Sequence, residues 1–138
     1  MYELEYLAVS KERDGGTGGT NVPVRKITHL EADTYMVIVH TANDQYYLVG
    51  TMVYWVKTLN ASGYNFRKAD RSNIINVDNI TSVDMSFKVA HFEVDITKHS
   101  KKCTLTVDRL KLIIDEFPEV AYKCNSRMVL KKLQRFNR

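Results

Sequence analysis

Phe66-Arg67-Lys68-Ala69-Asp70-Arg71-Ser72-Asn73-Ile74-Ile75-Asn76-Val77-Asp78-Asn79-Ile80 sets a cationic, hydrogen-bonding segment between two apolar anchors. Phe66 belongs inside, and so do most of Ile74, Ile75, Val77 and Ile80. Arg67, Lys68, Arg71, Ser72 and Asn73 carry too many donors for a buried strand and are framed too closely for a loose linker. The stretch reads as a rigid presenting loop.

Upstream of it the chain alternates. Tyr2, Leu4, Tyr6 and Ala8 share one face of a strand over residues 2–9, with Glu3, Glu5, Leu7 and Val9 on the other. Asp14-Gly15-Gly16-Thr17-Gly18-Gly19-Thr20 follows. A phosphate cradle would need a helix start directly after it, but Asn21-Val22-Pro23-Val24 is strand-like, so a flexible turn is expected. Short strands then succeed one another at Val22–Lys26, Thr28–Ala32, Tyr35–Thr41 and Gln45–Leu48, an antiparallel rhythm with connections too short for parallel crossovers. Thr51 caps a helix in which Met52, Trp55, Val56 and Leu59 fall on one face, and Asn60-Ala61-Ser62-Gly63 ends it.

Downstream, Asn79–Met85, Val89–Ile96 and Cys103–Val107 are predicted strands. Thr97-Lys98-His99-Ser100-Lys101-Lys102 forms a basic loop between the last two. Asp108–Phe117 is a second amphipathic helix, stopped by Pro118. Ser126–Phe136 has the spacing of a third, basic one, with Val129, Leu130, Leu133 and Phe136 apolar. Three fates are open to it: packing on the body, pairing with a second copy, or ordering on binding.

The 138 residues, 44% hydrophobic and 26% charged, suit one ordinary domain. Six basic residues after Pro118 (Lys123, Arg127, Lys131, Lys132, Arg135, Arg138) stand against Glu119. That tail carries +5 of a formal +4, leaving −1 on the first 117 residues. Affinity for a polyanion must therefore come from local clusters and the tail. No apolar run is long enough to span a membrane and the acidic start is unlike a secretory signal, so a cytoplasmic protein is expected. Cys103 and Cys124 read as free thiols. His29, His40, His91 and His99 show no HxH, HxxxH or HExxH spacing, and no Gly-x-Ser-x-Gly occurs, so neither metal, cofactor nor enzymatic activity is expected.

In order, these features resemble a LytTR domain, a DNA-binding module found mostly in bacterial two-component response regulators. Ile27 to Val37, with its Glu31-Ala32 pair and Tyr35, resembles the family's opening strand pair. Leu48–Leu59 is similar to its first helix, entered through Gly-Thr. Phe66 to Ile80 resembles the signature Phe-x-Arg-x-His-x-Ser-x-x-x-Asn-x-x-x-Ile, and Leu105–Leu112 the closing strand and helix. Lys68 stands where the family usually has arginine, Asp70 where it has histidine. Thr106 sits near the family's serine and Val107 in place of a basic residue, with Arg109 the next cation along.

The resemblance implies a mainly β fold of about ten short strands in stacked antiparallel sheets, a β-sandwich with two or three short helices. Residues 24–117 would be the DNA-binding domain, 1–23 an N-terminal strand and turn, and 118–138 the basic helix. It also implies a transcriptional regulator whose loops, rather than a helix, enter successive major grooves of double-stranded DNA. Those loops would be Asp33-Thr34-Tyr35, Lys68–Asn73 and Thr106–Arg109. Arg71 is the expected base contact, because an arginine can offer two donors to a guanine edge. Lys68, Ser72 and Asn73 would hold phosphates or orient Arg71, and Lys98, Lys101 and Lys102 would touch the backbone. Asp70 is expected to weaken binding unless it pairs with Arg71 or Arg67, while Ser72, Asn76 and Asp78 can equally serve as turn chemistry. Residues 1–23 cannot hold a receiver domain, so the expectation is a stand-alone regulator whose occupancy is set by its abundance, by a partner protein or by a ligand, working as a homodimer on paired sites through its last helix. The competing expectation is a protein-interaction module on the same fold that has lost DNA binding.

Overall fold

Residues 4–124 are described by the computed structural model. Seven strands form one antiparallel sheet: β1 (Tyr6–Ser10), β2 (Gly19–Pro23), β3 (Ile27–Asp33), β4 (Met36–Thr41), β5 (Gln45–Val49), β6 (Phe66–Lys68) and β7 (Asn73–Asn76), in the order β2-β1-β5-β4-β3-β7-β6. A smaller sheet holds β8 (Ser82–Asp84), β9 (Val89–His91) and β10 (Lys102–Thr104), in the order β10-β9-β8. Among the described residues two α-helices complete it, α1 (Met52–Ala61) and α2 (Val107–Glu116). The mainly β, ten-strand antiparallel reading holds. The expected helix at 126–136 lies outside the described residues.

Alternation along β7 explains why the large sheet is covered on both faces. Ile74 packs with Phe66, Leu30 and Leu59 on the α1 side, whereas Ile75 joins Val83, Ala90, Leu110 and Ile113 on the side of the small sheet and α2. Phe66 is fully buried, and truncating it to alanine would cost about 3–5 kcal/mol. The anchors that frame the loop therefore grip two separate cores.

β2 and β3 are four strands apart in pairing order but only a short 3-10 turn, Val24–Lys26, separates them in the chain. Four spacings in a flat sheet would be roughly 19 Å, beyond the ~14 Å that four residues can reach. The sheet must curl, and it brings the β1–β2 hairpin round toward the far end of β3. The expected strand Val22–Lys26 is thus cut at Pro23, because the chain has to turn there.

Further boundaries shift: the strand expected over Asn79–Met85 shortens to β8, after a 3-10 turn at Val77–Asn79. β9 ends at His91 instead of Ile96, since the carbonyls of His91 and Glu93 accept hydrogen bonds from the Thr81 hydroxyl (3.1 and 2.8 Å). β10 ends at Thr104 because Thr106 caps α2, its hydroxyl accepting from Arg109 N–H at 3.2 Å. Thr51 caps α1 as expected, accepting from Tyr54 N–H at 3.1 Å. Gly50 before it has φ +121°, and a Cβ there would lie 2.7 Å from Trp55 Nε1. Only glycine fits that approach. No helix among the described residues is long and apolar enough to cross a membrane.

Candidate nucleic-acid interface

Register decides which loops meet. β3 and β7 pair with Glu31 opposite Asn73, so the β3–β4 turn and the β6–β7 loop emerge side by side, joined by Ala32 N–H to the Ser72 carbonyl at 2.8 Å. The segment leading into α2 is tied to the same place, with Thr106 N–H donating to the Ala69 carbonyl at 2.9 Å. Three segments distant in sequence thus form one end of the molecule.

At that end Tyr35 occupies the tip of the β3–β4 turn with φ +64° and 91% of its surface exposed. A left-handed, solvated tyrosine is an unfavourable conformation held by its surroundings. The two-residue turn between the paired Asp33 and Met36 imposes it, and Arg13, from the β1–β2 turn, braces that turn: Nη1 pairs with Asp33 at 2.5 Å and Nη2 donates to the Thr34 carbonyl at 2.9 Å. Asp33 Oδ1 also accepts the Thr34 N–H at 2.8 Å.

Lys68, at the end of β6, and Arg71 and Ser72 of the β6–β7 loop are exposed. Arg109 is half-buried beside Arg67 and Lys68, where they line a cleft of about 200 Å³ with Leu112, Ile113 and Glu116. Among the described residues, the side chains of Lys68, Arg71 and Arg109 have no hydrogen-bond or ion-pair partner. Arg67 is different: it grips Glu116 through Nε (2.8 Å) and Nη2 (2.5 Å), lies over the Phe117 ring at 5.1 Å, and donates to the Phe66 carbonyl. It binds the loop's first strand to α2.

The LytTr DNA-binding domain family matches residues 19–115, well over half of the chain. The chain belongs to that family. A solved structure described as the LytTr DNA-binding domain of a methyl-accepting/DNA response regulator from Bacillus cereus shares its fold, with a TM-score of 0.59 at 16% identity over 82% of this chain and 96% of that one. No curated protein sequence matches. β1 and Arg13 lie before the first residue that the LytTr family match covers.

Within this LytTr domain Asp70 pairs with neither Arg67 nor Arg71. Its Oδ1 accepts the N–H groups of Ser72 (3.0 Å) and Asn73 (2.8 Å) and the Asn73 amide (3.0 Å), and the Thr104 hydroxyl donates to Oδ2. Burial alone would raise the carboxyl's pKa. The bonds from Thr104, Asn73 and Ser72 outweigh it and hold the group below the usual carboxylate range. Asn73 is committed to the same cluster, its amide reaching Asp70 and Thr104.

The remaining expected contacts fall elsewhere. Lys101 turns inward, donating to His40 Nδ1 at 3.1 Å and to the Asp44 carbonyl at 3.3 Å, at the β4–β5 end of the sheet. Lys98 is exposed in the Thr97–Ser100 turn that precedes it, and Lys102 is exposed on β10, two residues from Thr104. Asn76 is buried and its amide donates to the Ile27 carbonyl at 2.9 Å, while Asp78 accepts from Asn65. His29 and His40 do converge, but on each other, stacked with centroids 4.2 Å apart. Arg13, Thr104 and Glu116 are the positioning residues that sequence reading passes over, since each acts on a partner 20 or more positions away.

Proposed function

We propose that this domain binds duplex DNA sequence-specifically to control transcription, with the three converging segments entering successive major grooves. The observation that supports this is the convergence itself. Lys68, Arg71 and Arg109 meet at one end of the sheet with no partner among the described residues, on a body (residues 1–117) whose formal charge, these three included, is −1. Free cations on rigid loops suit phosphate and base-edge contacts, whereas ion-paired ones do not. Arg71 reads a base, Lys68 and Arg109 neutralise phosphates, Ser72 assists, and Thr34 with Tyr35 meets the neighbouring groove. Lys102 is close enough to reach the backbone.

Selection of bound duplexes from a random pool, followed by a salt series on the winner, tests this. A preferred sequence is expected, with log affinity falling linearly against log salt; absence of any duplex affinity would overturn it and favour the protein-interaction reading. That reading rests on Asp70 as an acid facing phosphates and on the net −1 of residues 1–117; the first support is weakened by the carboxylate's being occupied within its loop. Residues 126–138 are proposed to pair two copies on adjacent half-sites, in which case sedimentation should show a smaller mass when they are removed.

A further inference from the structure

Why should a DNA-facing loop carry an acid? A carboxylate beside Arg71 would repel phosphates if its oxygens faced outward. They face inward. Oδ1 collects two backbone N–H groups of its own loop, and Oδ2 accepts from Thr104, on the strand that leads into α2. Ala69 before it is fully buried and receives Thr106 N–H at its carbonyl, so residues 69–70 fasten two of the three converging segments together on both sides. With Asp70 and Asn73 pinned, Arg71 and Ser72 are the two residues of the loop left to point away from the body.

We infer that Asp70 is a positioning residue for sequence readout, acting through the placement of Arg71 against Arg109 and making no contact with DNA itself. The inference rests on the duplex-binding reading above. A carboxylate suits the task because it accepts several donors at once with no donor of its own to orphan. Thr104 is its partner, and their bond is the link across which the β6–β7 loop and the start of α2 move as one unit.

The test separates three roles by direction of change. Affinity for the selected duplex and for a mixed-sequence duplex should be measured for the full chain and for Asp70→Ala, Asp70→Asn and Thr104→Val, with amide hydrogen exchange on the free proteins. Asp70→Ala should lower discrimination about tenfold while mixed-sequence affinity stays level or rises. Thr104→Val, which changes no charge, should lower discrimination in the same direction. Asp70→Asn should keep most of it, because an amide oxygen can still accept the Ser72 and Asn73 N–H groups. Exchange at Ser72 and Asn73 should quicken in Asp70→Ala. A rise in both affinities by the same factor would overturn the inference and leave Asp70 a merely repulsive charge. So would unchanged exchange in Asp70→Ala. Loss of all duplex binding by the unaltered chain would instead sink the functional reading, with the exchange data still reporting whether Asp70 orders the loop.

Discussion

The two ends of the seven-stranded sheet carry similar side chains and use them in opposite ways. At the β4–β5 end, Lys11 pairs with Asp44 at 2.7 Å and Lys101 is held by His40 and the Asp44 carbonyl, beside a cleft of about 700 Å³. At the β3–β4 end, Lys68, Arg71 and Arg109 have no side-chain partner among the described residues, and the acid among them, Asp70, is absorbed by its loop. Counting cations along the chain cannot separate these ends. What separates them is where each cation's partner sits, and that is a property of the fold.

Arg71→Ala should show the largest effect on that contrast. If Arg71 offers two donors to a base edge as proposed, its removal should cost about 1–3 kcal/mol of discrimination at one position of the selected site, with little change in melting temperature. Lys101→Ala should do the reverse, lowering the melting temperature and leaving the salt slope of DNA binding where it was. If Lys101→Ala reduced the slope by about one, the two ends would not be divided as described.

Acid should act first on the histidines at the β4–β5 end. Burial holds the His29 pKa down to about 3, with the neighbouring His40 and Lys101 adding to the effect; burial also lowers that of His40, against its bond to Glu31. Both rings are therefore neutral in the fold. Lys101 donates to Nδ1 of His40, whose Nε2–H then faces Glu31 at 2.8 Å. Groups with depressed folded values contribute stability that is complete above the unfolded histidine pKa of about 6.5 and is lost as pH falls below it. Asp44, Asp70 and Glu116, also lowered, give way only under more acid conditions. Between about pH 6.5 and 5 the melting temperature should fall, and fall less in His29→Phe, while discrimination by the still-folded protein stays level.

How much of this was legible beforehand differs by length scale. Thr51, the Met52-Trp55-Val56-Leu59 stripe and the apolar anchors around the loop are local patterns, and each lies where periodicity put it. The curl of the large sheet was not legible, because it follows from strand order and linker length together. Nor was the role of Asp70: as a bare charge next to Arg71 it suggests an ion pair or a penalty, whereas its Oδ1 caps the Ser72 and Asn73 N–H groups of its own loop and Thr104, 34 positions on, ties the carboxylate to β10.

A smaller effect is expected from the link between β6 and α2. Arg67→Ala removes a two-point pair with Glu116 and the contact with Phe117, at a cost of about 1–2 kcal/mol of stability, discounted for the half-exposed Glu116. Because Arg109 rides on α2, specific binding should weaken more than mixed-sequence binding. Equal weakening would mean that Arg67 acts only as a charge.

The least effect should come from Arg13, and it is the most informative about where the working domain begins. Its side chain is 52% exposed, so the pair with Asp33 should contribute at most about 0.5–1 kcal/mol. Its second bond, to the Thr34 carbonyl, bears on the left-handed Tyr35 directly. Arg13→Ala should therefore leave the melting temperature almost unchanged while lowering affinity for the selected duplex a few-fold. Tyr35→Gly, which relieves the backbone strain and removes the ring, should lower it too and make Arg13→Ala silent in its background. If the two substitutions instead added independently, Arg13 would be touching DNA itself, and the N-terminal hairpin would count as a fourth contact segment instead of a brace for the first.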